Sequence, residues 1–349
     1  MTRIAAVSPV LPEYAYPQEQ ITRELTALIP SPRRSTMERM HAASGIGTRH
    51  TALPLESYRD LGSFSETNDL YIEVATDLAE RAVRDALAQA ALAPTDVDFI
   101  LFTTVTGLAA PSIDALLVPR LGFRPDVKRL PSFGLGCVAG ASGLARVHDY
   151  LIGHPADVAL LISVELCSLT LQRSDESMAN FVATGLFGDG AAAVVLTGDE
   201  LAIGSPAAAR IVATRSDFYP DSLDVIGWNI RNSGFEIVLT AGVADVIATH
   251  FRAGVDTFLS EHKLTVSDIG CWIAHPGGPR VLEAFASALE LPRDRLALSW
   301  DSLERVGNLS SSSVLHVLAD AGAQPAGTKG LLFALGPGVG AELVLLEWP

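Results

Sequence analysis

The sequence predicts an α/β protein with buried sheets, assembled from two similar halves. Three observations predict it. Amphipathic helical stretches alternate with short apolar runs rich in β-formers. The apolar runs are continuous rather than alternating, as in strands covered on both faces. Three segments also recur in the same order at nearly constant spacing.

The helical signal is strongest in YIEVATDLAERAVRDALAQAAL, residues 71 to 92, where apolar residues return every three or four positions. HDYLIGH, VADVIATHFRAGVDTFLSEH and PRVLEAFASALEL read as helices too. FILFTTV follows the first helix after a turn and reads as a buried strand. VALLISVEL (158–166), AAAVVL (191–196), GCWIAH (270–275) and ELVLLEW (342–348) read as strands for the same reason.

The recurrence pairs TDVDFILFTTVTG with SDIGCWIAHPGG, 172 residues later. It pairs GCVAGASGLARVHDYL with GNLSSSSVLHVLADAG, 171 residues later, and FGDGAAAVVL with LGPGVGAELVLL. Two halves are expected, 1–205 and 206–349, joined within about residues 197–210. Cys137 and Asn308 then sit in equivalent turns, and His275 ends the strand equivalent to the one ending at Thr103.

The chain has 349 residues, 48% of them hydrophobic and 19% charged, enough for a sizeable core. A net charge of -15 argues against nucleic acid or an anionic membrane as partner. Three scattered cysteines, Cys137, Cys167 and Cys271, without a CxxC, give neither a disulfide framework nor a zinc site. No uninterrupted apolar segment marks a signal peptide, and no run reaches the roughly 18 apolar residues of a membrane span. A cytoplasmic protein is expected.

Cys137 lies in FGLGCVAGASG, which reads as strand, sharp turn and helix. A cysteine at a helix start can be a nucleophile, because the positive end of the dipole favours thiolate. It can equally be a small buried hydrophobe. His275 follows an apolar strand, at the strand end where sites form in α/β sheets. Imidazole there can pair with the thiolate. Asn308, in RVGNLSSSSVLHVL, can cap a helix and also offer an amide to an oxyanion. The serines after it read as packing residues. Cys, His, Asn is also the order in papain-like proteases, although the sequence around that family's cysteine is missing here.

Six motifs resemble one family: GLGCVAGASG, VELCS, GLFGDGAAA, AHPGGPRVLE, GNLSSSSV and GPGVGAE. In this order they are similar to the type III polyketide synthases, the chalcone synthase-like branch of the thiolase superfamily. The resemblance implies a duplicated thiolase-like fold, layered α-β-α-β-α, with two five-stranded mixed sheets. It implies that Cys137 carries an acyl group from acyl-CoA as a thioester. His275 would stabilise the thiolate, and His275 with Asn308 would stabilise the enolate formed when malonyl-CoA loses carbon dioxide. It implies no metal, no organic cofactor and a homodimer. The sister ketoacyl-ACP synthase III enzymes use the same three residue types but condense once. A degenerate acyl-CoA-binding scaffold is a further alternative outside catalysis.

The resemblance also places a cavity. Phe187 matches the family's gatekeeper between CoA tunnel and cavity. Val105, Thr106, Cys167, Thr170, Trp228, Phe235 and Ile237 match wall positions, and Gly336, Pro337 and Gly338 the floor loop. Arg39 matches a CoA-phosphate contact; Arg33 and Arg34 stand near enough to replace the lysines that plant relatives carry at Thr36 and Ala43. Gly277 and Gly278 complete the expected CoA contacts. Ile237 replaces a phenylalanine and opens space, Trp228 replaces a glycine and narrows it, and Val105 stands where tetrahydroxynaphthalene synthases have a second cysteine. The stretch PSIDALLVPRLGFRPDVKRLPSFGLGC looks most like bacterial phenolic-lipid synthases. That implies a long aliphatic starter extended to an alkylresorcinol or alkylpyrone. The alternative is a small aromatic product made from malonyl-CoA alone.

Overall fold

The computed structural model describes residues 1–29, 31–205 and 207–349. Thirteen strands run in chain order: β1 (Thr2–Val10), β2 (Tyr14–Pro17), β3 (Thr48–Thr51), β4 (Phe99–Thr104), β5 (Lys128–Phe133), β6 (Val158–Leu166), β7 (Asp189–Thr197), β8 (Arg210–Phe218), β9 (Ile226–Arg231), β10 (Gly234–Leu239), β11 (Ile269–Ala274), β12 (Lys329–Gly336) and β13 (Gly340–Glu347). Nine of them form one mixed sheet in the order β11-β12-β13-β8-β1-β7-β6-β4-β5. β9 with β10, and β2 with β3, form separate pairs.

The expected two five-stranded sheets are therefore not what forms. The first half supplies five strands and the second four. The two sets join at a short antiparallel contact, Thr2 opposite Ile211 and Arg3 opposite Arg210. The fifth strand of the second half is absent for a local reason. Its repeat position is occupied by the helix Ala297–Val306, ALSWDSLERV, which has helical apolar spacing and lacks a β-branched run. From that helix, buried Ser299 covers the edge of β11. Its hydroxyl donates to the Ala274 carbonyl at 2.7 Å and accepts from the Ala274 N–H at 3.2 Å. The expected boundary at 205/206 falls at Pro206, which lies outside the described residues.

Strand periodicity builds the layers. In β6, Leu160, Ile162 and Val164 face the long helix Phe64–Ala90, while Ala159 and Leu161 face the opposite side. That opposite side packs on the helices Ala139–Gly153 and Ser313–Ala321. The same two helices touch Leu332, Ala334, Val344 and Leu346 of the second half. The outer face of the second half, through Leu331, Phe333, Leu343 and Leu345, meets the helices Arg252–Glu261 and Pro279–Leu289. The two chemically interesting turns both lead into the central helices. Among the described residues no helix is long and apolar enough to cross a membrane.

Candidate active site

Two equivalent turns carry the candidate residues. Gly136 and Gly307, each just before its candidate, both take positive φ, +56° and +75°. That region suits glycine. Cys137 follows in the 3₁₀ turn Gly136–Val138, ahead of the helix Ala139–Gly153. Asn308 follows its glycine ahead of the 3₁₀ turn Ser310–Ser312 and the helix Ser313–Ala321. The turns meet. Cys137 Sγ lies 3.7 Å from Ser310 Oγ. Ser310 itself holds φ +50°, an uncommon conformation for a residue with a side chain.

Asn308 links this centre to the third candidate. Its Nδ2 donates to the Gly277 carbonyl at 3.2 Å, in the turn after His275. Its Oδ1 accepts from the Ser310 N–H at 2.8 Å and the Ser313 hydroxyl at 3.3 Å, so it caps as well. Its backbone bridges the Phe187 segment: the Asn308 N–H reaches the Leu186 carbonyl and the Gly188 N–H reaches the Asn308 carbonyl, both at 2.9 Å. His275 is buried, and neither ring nitrogen has a partner among the described residues.

Burial dominates the electrostatics. It pushes the Cys137 thiol up to about 12, with the Ser310 contact pulling down and the Glu165 carboxylate pushing up. Burial alone draws His275 down to about 3. The resting pair favours thiol and neutral imidazole. Burial thus favours the neutral thiol at this helix start.

Cys137 opens onto a small compartment lined by Phe187, Trp228, Ile237, Ser310 and Pro337. A larger cavity is lined by Cys167, Thr170, Phe235 and Arg49 among others, and shares Phe187, Trp228 and Ile237 with the first. The Trp228 ring stands 6.4 Å from that of Phe187 and 6.2 Å from that of Phe235. An aromatic wall thus divides the space. Gly336 packs against the Leu135–Val138 backbone, and the Gly338 carbonyl accepts from Ser222 at 3.0 Å.

Val105 and Thr106 line neither compartment. Both serve Glu165, through the Val105 N–H at 3.1 Å and the Thr106 hydroxyl at 2.8 Å. Of the basic residues, Arg33 donates to the Glu176 carbonyl and Arg34 pairs with Glu38, whereas exposed Arg39 donates to the Thr36 hydroxyl. Gly278 precedes the helix Pro279–Leu289 with φ +142°. Three buried residues at this centre escape sequence reasoning: Glu165, Arg49 and Ser310. Ser310 alone carries a signal, two positions after Asn308. Among the described residues no group of three or more histidines, cysteines or carboxylates is placed to hold a metal ion.

Comparison with known proteins places the chain in a family. Residues 2–200 match the N-terminal domain model of chalcone and stilbene synthases, and residues 210–348 the C-terminal one. The chain is 50% identical over 352 residues to the 1,3,6,8-tetrahydroxynaphthalene synthase of Streptomyces peucetius subsp. caesius, covering 99% of this chain and 93% of that protein. It is 31% identical over 351 residues to the phloroglucinol synthase of Pseudomonas fluorescens, covering 97% and 98%. The crystal structure of 1,3,6,8-tetrahydroxynaphthalene synthase from Streptomyces coelicolor A3(2), a bacterial type III polyketide synthase, superposes with a TM-score of 0.93 at 29% identity over 99% of both chains. The protein belongs to the chalcone and stilbene synthase family and is a type III polyketide synthase, an acyltransferase acting on coenzyme A thioesters.

Proposed function

We propose that this synthase builds a small aromatic polyketide from malonyl-CoA alone. The observation that carries the reading is the small compartment at Cys137, walled by Phe187, Trp228 and Ile237. The tetrahydroxynaphthalene and phloroglucinol synthases among its relatives agree in product class.

In this reading His275, held neutral by burial, takes the Cys137 proton as sulfur attacks the thioester carbonyl. CoA leaves and the acyl group rests on sulfur. A second malonyl-CoA then loses carbon dioxide, and its electron pair becomes an enolate. The protonated His275 and the Asn308 amide are the donors aimed at that oxygen. The enolate carbon attacks the Cys137 thioester and displaces the sulfur, which leaves the lengthened chain on CoA; Cys137 retakes it by thioester exchange, releasing CoA, before the next round. Arg39, with Gly277 and Gly278, is assigned to the CoA side. The matched segments 2–200 and 210–348 support a division into halves 1–205 and 206–349. A homodimer is also proposed. The open edge β5, with Leu130, Phe133 and Leu135 exposed, supports it, since such edges are normally covered. Light scattering on the purified protein at monomer mass would refute it.

A second reading is an aliphatic starter giving an alkylresorcinol or alkylpyrone. The larger cavity favours it through Ile21, Leu25, Leu28, Leu55 and Leu171. Incubation with labelled malonyl-CoA, with and without acyl-CoAs of several lengths, separates the two. The first reading expects one main aromatic product from malonyl-CoA alone. A requirement for a long acyl-CoA sinks it.

A further inference from the structure

Two residues of the sequence motifs take no part in the condensation. Ser168 ends VELCS, and Asp189 lies in GLFGDGAAA. The fold brings them together. Asp189 opens β7 and is fully buried, while Ser168 sits in the turn Cys167–Thr170 and keeps accessible surface. The Ser168 hydroxyl donates to Asp189 Oδ2. The Tyr58 hydroxyl lies 2.5 Å from the same serine oxygen and, with the serine proton turned to Asp189, donates to it. Asp189 also accepts the Ser168 N–H at 2.8 Å and the Ala52 N–H at 2.6 Å. Arg49 attracts it through space while donating to Gln18 and Phe187.

This row of groups ends at the larger cavity. Tyr58 and Ser168 line that cavity and Asp189 does not, and Ser168 is the one of the three that is not buried. A hydroxyl oxygen has two lone pairs, and Tyr58 takes one. The Ala52 N–H, committed to Asp189, reaches that oxygen only at 3.4 Å. A serine joined to a buried carboxylate is a base at one remove, since its oxygen can take a proton as its own passes to the carboxylate. Burial raises Asp189 to about 6, against the hydrogen bonds from Ser168 and Ala52 and the charge of Arg49. It is ionised near neutral pH and more basic than an ordinary carboxylate. The other titratable groups facing it, Tyr58 and Cys167, are pushed up by burial and stay neutral.

We propose that Ser168, backed by Asp189, is the base that closes a carbon ring in the grown polyketide chain. It rests on the aromatic product of the reading above and holds for either starter. The larger cavity shares Phe187, Trp228 and Ile237 with the compartment at Cys137, so a chain growing from the sulfur extends along the wall that carries Ser168. A methylene between two carbonyls gives its proton to the Ser168 oxygen, and the Ser168 hydroxyl proton passes to Asp189. The electron pair left on that carbon attacks a ketone carbon further along the chain and forms the ring bond. The alkoxide so made takes the proton back by the same path, so no co-reactant is consumed. Without the base, an enol oxygen of the chain attacks the thioester carbonyl instead. Its proton goes to the departing sulfur, and a lactone leaves. Ser168 is the catalytic residue here, and Asp189 is a positioning and proton-holding residue behind it.

The test runs wild type, S168A and S168T with malonyl-CoA alone and, in parallel, with hexanoyl-CoA plus malonyl-CoA. The readout is the ratio of carbon-ring to lactone products by liquid chromatography and mass spectrometry. A ratio is insensitive to how much of a variant folds. S168A is expected to lower it about 10²-fold, the low end for a general base, and S168T to restore part of it. In wild type the ratio should fall as pH is lowered through about 6, where Asp189 takes up a proton and can accept no other, and in S168A it should lose that dependence. Carbon rings at an unchanged ratio in S168A, or a wild-type ratio indifferent to pH, overturn the proposal alone; the second holds even where S168A does not fold. Only lactones from wild type in both reactions would sink the aromatic reading and this proposal with it, a result visible before any variant is compared.

Discussion

The two halves solve the same local problem with different lead-ins. In each, a glycine at positive φ introduces the candidate residue, and a 3₁₀ turn feeds a central helix. In the first half the chain enters from β5, an edge strand with exposed side chains. In the second it enters from the helix Ala297–Val306, whose Ser299 occupies backbone groups of the edge strand β11. One half keeps an open edge and the other closes it with a side chain. The turn is alike in both halves, while the approach differs where backbone satisfaction and packing are at stake.

Substitutions can break this comparison in graded ways. The largest effect is expected from chemistry that the turns do not share. C137A should remove turnover by about 10⁴-fold or more, whereas N308A should cost about 10²–10³-fold, the scale of a lost oxyanion donor. Product formation from malonyl-CoA measures both, and an N308A loss as deep as that of C137A would assign Asn308 more than a donor role.

The glycines come next. A Cβ at Gly307 would stand 2.8 Å from the Leu186 carbonyl, a backbone atom, while one at Gly136 would stand 2.7 Å from the Pro337 ring. Both substitutions add positive-φ strain of roughly 1–3 kcal/mol. G307A should destabilise more, because backbone yields less than a ring at the cavity floor. Denaturant melts of the two variants rank them.

Ser299 tests the closing device. S299A leaves the Ala274 N–H and carbonyl without that hydroxyl, at a cost of about 2 kcal/mol. Unchanged stability would show that water covers the edge equally well.

The smallest effect is expected at Ser310. Its contact lowers the Cys137 thiol, because the hydroxyl can turn to donate to thiolate. Without it the folded thiol ionises at higher pH, so less thiolate is present at any given pH. In S310A the rate of Cys137 alkylation by iodoacetamide should fall several-fold near neutrality, with its rising limb moved to higher pH.

Much of this architecture is legible in the sequence because it rests on periodicity. The runs at 158–166 and 191–196 lie within β6 and β7, the run at 342–348 overruns β13 by Trp348, and PRVLEAFASALEL contains the helix Pro279–Leu289. The turns are legible because glycine precedes Cys137 and Asn308 alike. The sheet count is not, because repeat logic carries a strand onto Ala297–Val306, where local propensity makes a helix. Arg49 and Glu165 are not legible either. A buried charge is defined by neighbours far away in sequence, such as Gln18 and Phe187 for Arg49. The serines after Asn308 read as packing residues, yet Ser310 faces the thiol through a strained φ that no motif announces. The aromatic wall is half legible. Trp228 is visible as bulk, but its division of one cavity into two depends on where Phe187 and Phe235 stand.

The central claim is that Cys137, met by the second half's turn, is where the chain grows, and that malonyl-CoA alone primes it. Intact-protein and peptide mass spectrometry after brief mixing with labelled malonyl-CoA tests both parts. The account predicts a malonyl-derived thioester on Cys137 that disappears in C137A. Label on Cys167 or Cys271 instead, or no adduct until a long acyl-CoA is supplied, would contradict it.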